Sequence, residues 1–375
     1  MPPVTSATRR SSSPVIPCSC RAPRPRLVLG TPSGRCVREF ALRTQFGLVA
    51  GKSRERDVAG ASQGTIAIVG AGSIGTAFAI VFARCGFTVR LFDPDTRQRD
   101  GAHEIITHRL ADLREHGLLD EDPPAVLARV TACATLEACV TDAVLVMECG
   151  PERLEIKREI LSAIDAAARP EAVVASASSA IPASQSAEHL AGRARVLVAH
   201  PGNPPFLIPV VELVPAPFTD PAAVDRADRI LSDAGMVPIR IKREVEGFVY
   251  NRLQGALLRE AYCLVRDGVA DVEDIDALVR EGLGLRWSVI GPFETVDLNT
   301  QGGIEAHAAR MGPAYARMGA ERGQDDPWTP ELVARVTQAR RARLPLDRWA
   351  ERVAWRDRRL MALVRARRSQ EDSSG

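Results

Sequence analysis

Lysine and asparagine are almost absent. Lys52, Lys157 and Lys242 stand against 46 arginines in 375 residues, and the only asparagines are Asn203, Asn251 and Asn299. Such a bias marks a GC-rich coding sequence. It makes each retained ammonium or amide worth locating, because a guanidinium does not replace an ammonium at a close-packed site. An excess of one charge is also lacking. A net charge of +2 sets up no field that would favour nucleic acid or an anionic membrane. No apolar run approaches the roughly 18 residues that a membrane span needs. Of eight cysteines only Cys18 and Cys20 lie close together, so neither a disulfide framework nor metal-ligand spacing is present. The expectation is a cytoplasmic protein with reduced, mostly buried thiols and no metal, nucleic-acid or membrane partner.

What is present divides the chain. Residues 1–63 are rich in Arg, Ser, Pro and Gly, carry no acid before Glu39 and show no period. They read as a disordered extension or as a start assigned too far upstream, although an Arg-rich, acid-poor start also resembles a transit peptide. From Thr65 short β-branched runs alternate with helical patterns. TIAIVG, TVRLFD (88–93), AVLVME (143–148), AVVASA (172–177), RVLVAH (195–200) and VPIRIK (237–242) read as strands. Between them 96–117 and 152–168 read as helices, which together imply a mostly parallel sheet covered on both faces. Beyond Glu244 the period is helical. Val249, Leu253, Leu257 and Ala261 form an i, i+4 ladder, a helix over 271–281 is expected with Asp271 as its cap, and 346–368 is a basic amphipathic helix. The expected domains are 64–244 and 245–368, with a tail at 369–375.

GAGSIG places Gly70, Gly72 and Gly75 in G-x-G-x-x-G spacing. The spacing alone is weak, but here it follows a strand and opens a helix, which makes it a dinucleotide fingerprint. The first glycine permits a tight turn, the second lets the backbone approach a pyrophosphate, and the third lets helix and strand pack closely. The helix start offers free N–H groups and a partial positive charge to phosphate. Asp93, at the end of the second strand, can accept the ribose hydroxyls and favours NAD over NADP, while Arg97 and Arg99 keep a 2′-phosphate reading open. The fold class is therefore α/β, a Rossmann-type doubly wound sheet followed by an all-helical C-terminal domain.

A nicotinamide dehydrogenase needs a base to take the hydroxyl proton, and histidine suits that task near neutral pH. Of six histidines only His200 ends a predicted parallel strand, where open α/β sheets bind ligands. The residues alone leave His200 open between a structural and a catalytic role. The ordered motifs IVGAGSIGTAFA, ECGPERLEIKREI, ASASSAIPAS, AHPGNPPFLIPVVELVP, EVEGFVYNRLQGA and EGLGLRWSVIGPFET resemble the L-3-hydroxyacyl-CoA dehydrogenase superfamily. They are most similar to its L-gulonate 3-dehydrogenase (lambda-crystallin) branch, over about 65–330. The resemblance implies a catalytic set of Ser179, His200, Glu212 and Asn251. His200 would be the base, Glu212 its orienting partner, and Ser179 and Asn251 donors to the substrate oxygen; Ser176 and Ser178 compete for the serine role. It also implies NAD contacts from Ser73, Ile74, Glu152 and Lys157, and a homodimer formed through the helical domain.

For the substrate, hydroxyacyl-CoA members of the resembled family carry lysines on the helix after the second strand. Here 96–117 has none, leaving Arg109 or Arg114 to bind a CoA phosphate. Arg286 and Trp287 fall where the gulonate branch has an arginine and an aromatic, and a buried arginine clamps a carboxylate bidentately. Asn203 joins them as a candidate substrate contact. The implied reaction is NAD-dependent oxidation of the 3-hydroxyl of a small 3-hydroxy acid. A 3-hydroxyacyl-CoA substrate is the alternative, and carnitine stays open because an aromatic face attracts a quaternary ammonium. A non-catalytic NAD-binding structural protein is the alternative outside enzymes.

Overall fold

The computed structural model describes residues 64–372 apart from 289, 301–302 and most of 323–344. The expected N-terminal extension, 1–63, lies outside the described residues. Eight strands form one sheet: β1 (Thr65–Val69), β2 (Thr88–Phe92), β3 (Val130–Ala132), β4 (Ala143–Glu148), β5 (Val173–Ser176), β6 (Val196–Pro201), β7 (Val210–Pro215) and β8 (Val237–Arg240). Their order is β3-β2-β1-β4-β5-β6-β7-β8. Every pairing is parallel except β6 with β7. The order reverses between β1 and β4, and the crevice beyond the strand ends at such a point is where doubly wound sheets bind ligands.

The six expected strands form, and two more appear. β3 is a three-residue edge strand, half-buried or exposed along its length, which leaves no apolar run to detect. β7 sits in a proline-rich stretch where no strand was expected, yet its prolines lie at its margins, where a lost ladder donor is tolerated. Its antiparallel run has a direct consequence. A residue near the start of an antiparallel strand lies at the same sheet edge as the ends of its parallel neighbours. Glu212 is thereby brought directly opposite His200.

The helix Ser73–Ala83 is buried from Gly75 to Ala83, so its apolar residues run all round instead of along one stripe. Phe78 and Phe82 stack at 6.1 Å, and Phe82 meets Phe87 edge-on at 5.7 Å. Each such pair adds about 0.5–1.5 kcal/mol beyond area burial. On the opposite face Leu161 and Ile164 of the helix Leu154–Ala167 join a second buried cluster. Cys133 and Cys139 are buried free thiols, Cys263 is buried, and Cys85 and Cys149 are half-buried and free.

Helices Tyr250–Arg266, Val272–Leu278, Gly284–Trp287, Pro292–Leu298 and Gly303–Arg322 follow the sheet. Asp271 takes the N-cap position as expected, but its side chain makes no capping hydrogen bond. The last helix, Trp349–Asp372, runs past its expected end at 368. It returns to the first domain, where Met361 is buried and Leu360 and Val364 pack against the core beside the helix Ser73–Ala83.

The three fingerprint glycines have separable causes. Gly70 has φ +112°, and a Cβ there would stand 2.6 Å from the Cys149 carbonyl oxygen. At Gly75 a Cβ would come within 1.8 Å of the Gly70 carbonyl oxygen, whereas at Gly72 it meets nothing within 4 Å. Gly75→Ala is expected to cost about 3 kcal/mol or more of folding stability, because backbone must move to admit the methyl. Gly72→Ala should stay within about 1 kcal/mol of wild type and instead weaken NADH binding. Urea midpoints and an NADH titration on both variants check the contrast.

Candidate active site

The glycine turn is tied to the second strand through Asp93. Its Oδ2 accepts the Ala71 N–H at 2.8 Å, and its Oδ1 accepts the Asp95 N–H at 2.9 Å. A carboxylate offers about four acceptor directions, so Asp93 keeps capacity for ribose hydroxyls at the β2 edge. Arg99 turns back on the Asp93 carbonyl oxygen at 3.3 Å, and Arg97 is exposed. Gly72 is the N-cap of the helix Ser73–Ala83 and supplies no side-chain cap. The N–H groups at Ser73 and Ile74 therefore start an uncapped helix beside the open space at Gly72. That cradle fits a pyrophosphate by charge and by room.

β4 ends in Glu148, fully buried, and Lys157 on the following helix is 1% exposed. The Lys157 ammonium donates to Glu148 Oε1 and Oε2 at 3.1 and 3.0 Å and to the Gly150 carbonyl at 3.4 Å, and lies 3.6 Å from Glu152 Oε2. The Lys157 ammonium thus faces this acidic cluster. Glu152 Oε1 accepts from Ser178 Oγ at 2.6 Å and from the N–H groups of Ser179 and Ala180 at 3.0 and 2.9 Å. Burial raises the Glu152 carboxyl, but these donors and Lys157 outweigh it and hold it below the usual glutamate value.

The three candidate serines separate by their surroundings. Ser176 Oγ donates to Glu148 at 2.5 Å, and Ser178 Oγ is used by Glu152. Ser179 is exposed, and its hydroxyl has no protein partner among the described residues. Its carbonyl accepts from Asn251 Nδ2 at 2.9 Å, so Ser179 and Asn251 meet across the junction between sheet and helices.

His200 and Glu212 are 6% and 3% exposed. His200 Nδ1 and Glu212 Oε2 are 2.8 Å apart. The other carboxylate oxygen, Oε1, accepts the N–H groups of Val249 and Tyr250 at 2.9 and 3.0 Å, at the start of the helix Tyr250–Arg266. That helix is aimed by a left-handed turn, with Gly247 at φ +72° and Phe248 at φ +49°. A bulky residue there stores strain, which the surrounding structure must hold in place. Phe248 is fully buried, and its ring lies 5.7 Å from the imidazole; Tyr250 meets the imidazole edge-on at 6.0 Å. An ionised Glu212 accepts Nδ1–H and leaves the Nε2 lone pair directed away from the dyad.

Arg286 and Trp287 are exposed on the short helix Gly284–Trp287, where burial of the arginine was expected. No hydrogen bond or ring contact among the described residues joins either to the His200 group. Asn203 is exposed too, in the loop after β6. Sequence reasoning missed Glu148, although an acid closing an otherwise apolar strand was a visible signal. It also missed the fixed state of the arginines after β2. Arg109 donates to Thr76 Oγ1 at 3.0 Å and lies 5.6 Å over the Phe206 ring, while Arg114 donates to the carbonyls of Leu119 and Asp120.

The Glu212 carboxyl is pushed up by burial, but hydrogen bonds from His200, Tyr250 and Val249 dominate and hold it below the ordinary glutamate value. A carboxyl depressed in the folded state adds stability above the unfolded pKa of about 4.3, lost as pH falls through the folded value. Wild type is therefore expected to lose stability between about pH 5 and pH 3 more steeply than Glu212→Gln. Urea midpoints across that range measure the difference.

Residues 65–245 match the NAD binding domain of 3-hydroxyacyl-CoA dehydrogenase, and residues 247–343 match its C-terminal domain. Lambda-crystallin from Oryctolagus cuniculus is 36% identical over 84% of this chain and 99% of its own length. L-carnitine dehydrogenase from Streptomyces griseus subsp. griseus is 38% identical over 80% of this chain and 89% of its own. A solved structure of 5-formyl-3-hydroxy-2-methylpyridine 4-carboxylic acid 5-dehydrogenase, an NAD+-dependent dismutase, superposes with a TM-score of 0.70 at 28% identity. It covers 82% of this chain and 98% of that one. The chain belongs to the 3-hydroxyacyl-CoA dehydrogenase family and is an NAD-dependent dehydrogenase acting on a small-molecule substrate.

Proposed function

We propose that the enzyme oxidises the 3-hydroxyl of a small free 3-hydroxy acid, of the L-gulonate type, to the 3-oxo acid. The observation that carries the reading is the buried His200–Glu212 pair, whose imidazole Nε2 has no hydrogen bond among the described residues, together with the Ser179–Asn251 contact. Glu212 holds the imidazole in the tautomer whose Nε2 accepts the substrate's hydroxyl proton, and it stabilises the imidazolium that results. The Ser179 hydroxyl and the second N–H of the Asn251 amide donate to the substrate oxygen as carbonyl character develops. NAD, when bound at the glycine turn, supplies the hydride acceptor.

Free acids are favoured over CoA esters because Arg109 and Arg114 are spent on protein oxygens and an aromatic ring. The carboxylate is assigned to Arg286, whose guanidinium has no protein partner among the described residues. Carnitine is a second reading, supported by the likeness to a carnitine dehydrogenase and by the exposed face of Trp287. The reading includes a homodimer through the helical domain, where Leu253 and Phe293 are 64% and 77% exposed, more apolar surface than a lone domain usually leaves in water.

With NAD and a panel of L-gulonate, carnitine, 3-hydroxybutyrate and 3-hydroxybutyryl-CoA, L-gulonate is expected to give the highest kcat/KM. His200→Gln should lower kcat by about 10³-fold, and Arg286→Met should raise the KM for gulonate by about 10- to 100-fold. An unchanged KM in Arg286→Met removes the carboxylate assignment. Light scattering should find a dimer, and Leu253→Asp should shift it to monomer by burying a charge in the interface.

A further inference from the structure

Two aromatic rings flank the His200 imidazole, and they differ in what they show to solvent. Phe248, 5.7 Å away, has no exposed surface, whereas Tyr250, edge-on at 6.0 Å, is 38% exposed. A molecule that reaches the 6%-exposed His200 from solvent therefore passes Tyr250 and not Phe248. The Tyr250 backbone is held in place. It opens the helix Tyr250–Arg266, and its N–H donates to Glu212 Oε1, on the same carboxylate that faces His200. A tyrosine on a fixed backbone has only two side-chain torsions to place its ring, so the phenol stays close to the base. Asn251, the next residue, is turned onto the Ser179 carbonyl instead.

The Tyr250 hydroxyl has no hydrogen-bond partner among the described residues, and the proton transfer described above makes no use of it. A phenol both donates and accepts, as does an alcohol, so the two can pair in either sense. L-gulonate carries hydroxyls on both carbons next to the one oxidised, whereas carnitine and 3-hydroxybutyrate have only the reacting hydroxyl. We propose that Tyr250 is a specificity-determining residue. Its phenol hydrogen-bonds a substrate hydroxyl adjacent to the one that His200 deprotonates. It thereby selects polyhydroxy acids over 3-hydroxy acids with an otherwise plain carbon chain. The phenol is part-exposed, so water replaces a missing partner and the selection is modest. This role deepens the L-gulonate reading and rests on it.

The test compares L-gulonate with 3-hydroxybutyrate at saturating NAD, in wild type, Tyr250→Phe and Tyr250→Leu of the full chain. Tyr250→Phe removes the hydroxyl and keeps the ring. The ratio of kcat/KM for L-gulonate to that for 3-hydroxybutyrate is expected to fall about fivefold in this variant, the loss of one hydrogen bond between neutral groups. Tyr250→Leu should lower the ratio as far, because loss of the ring acts on both acids alike. The hydroxyl is unpartnered in the fold, so Tyr250→Phe should keep the wild-type Tm to within about 3 °C, and the change in ratio then reports recognition and not folding. A ratio unmoved in Tyr250→Phe, or one that falls only in Tyr250→Leu, leaves Tyr250 with bulk alone and overturns the proposal. Wild type that turns over carnitine or 3-hydroxybutyryl-CoA faster than either acid overturns the L-gulonate reading instead, since the ratio between the two acids still reports on the phenol. Wild type inactive on L-gulonate overturns both.

Discussion

Glu212 has two jobs, and the geometry of the site depends on both. One oxygen faces the His200 imidazole and the other receives two backbone N–H groups from the first turn of the helix Tyr250–Arg266. A carboxylate this deeply buried costs several kcal/mol unless its lone pairs are filled. Three donors fill them here, and hydrogen bonds to a charged acceptor are worth about 1.5–3 kcal/mol each. The charge that orients the histidine is thus stable only while the helical region is docked. The setting of the His200 imidazole and the docking of the helical region are one interaction seen from two sides.

The same device recurs around the crevice. Asp93 uses both oxygens on backbone N–H groups of the glycine turn and of the segment after β2. Glu152 uses one oxygen on the amides of the turn after β5, and Glu148 one on the Gly150 N–H. Each acid sits at or just beyond the end of a strand, where the chain leaves the ladder and its N–H groups lose their partners. Carboxylates placed there satisfy those donors and fix loop conformations that glycine or proline alone leave free. A negatively charged rim is a cost toward an anionic cofactor. It is offset locally by the uncapped helix start at Gly72 and by the buried ammonium of Lys157.

Much of this was legible in the sequence where the signal is local. Apolar β-branched runs marked the six strands that lie within or feed the core, and the strand–glycine–helix context marked the nucleotide end. β7 was not legible, because Pro209 and Pro215 bracket a run that looks like a loop until a partner strand is supplied. For the same reason the His200–Glu212 pairing came from the resemblance and not from register. The choice of Ser179 over Ser176 and Ser178 came from the resemblance; the hydroxyls of the other two are engaged by Glu148 and Glu152. Rarity of lysine and asparagine led to Lys157 and Asn251, which enter hydrogen-bond networks, but equally to Asn203 and Lys242, which are exposed. Composition flags a residue as retained and says nothing about which way it points.

The C-terminal helix packs onto the nucleotide-binding half in a way that no motif announced. It lies beyond residue 343, where the match to the family's C-terminal domain ends, yet Met361 is buried against the nucleotide-binding half. Burial holds the Arg109 guanidinium below its ordinary value, and Asp357 of this helix opposes that drift with its charge. Arg109 is thus surrounded by Thr76, the Phe206 ring and an acid from the far end of the chain. Arg109 is therefore a brace. It links the glycine-turn helix to the loop after His200.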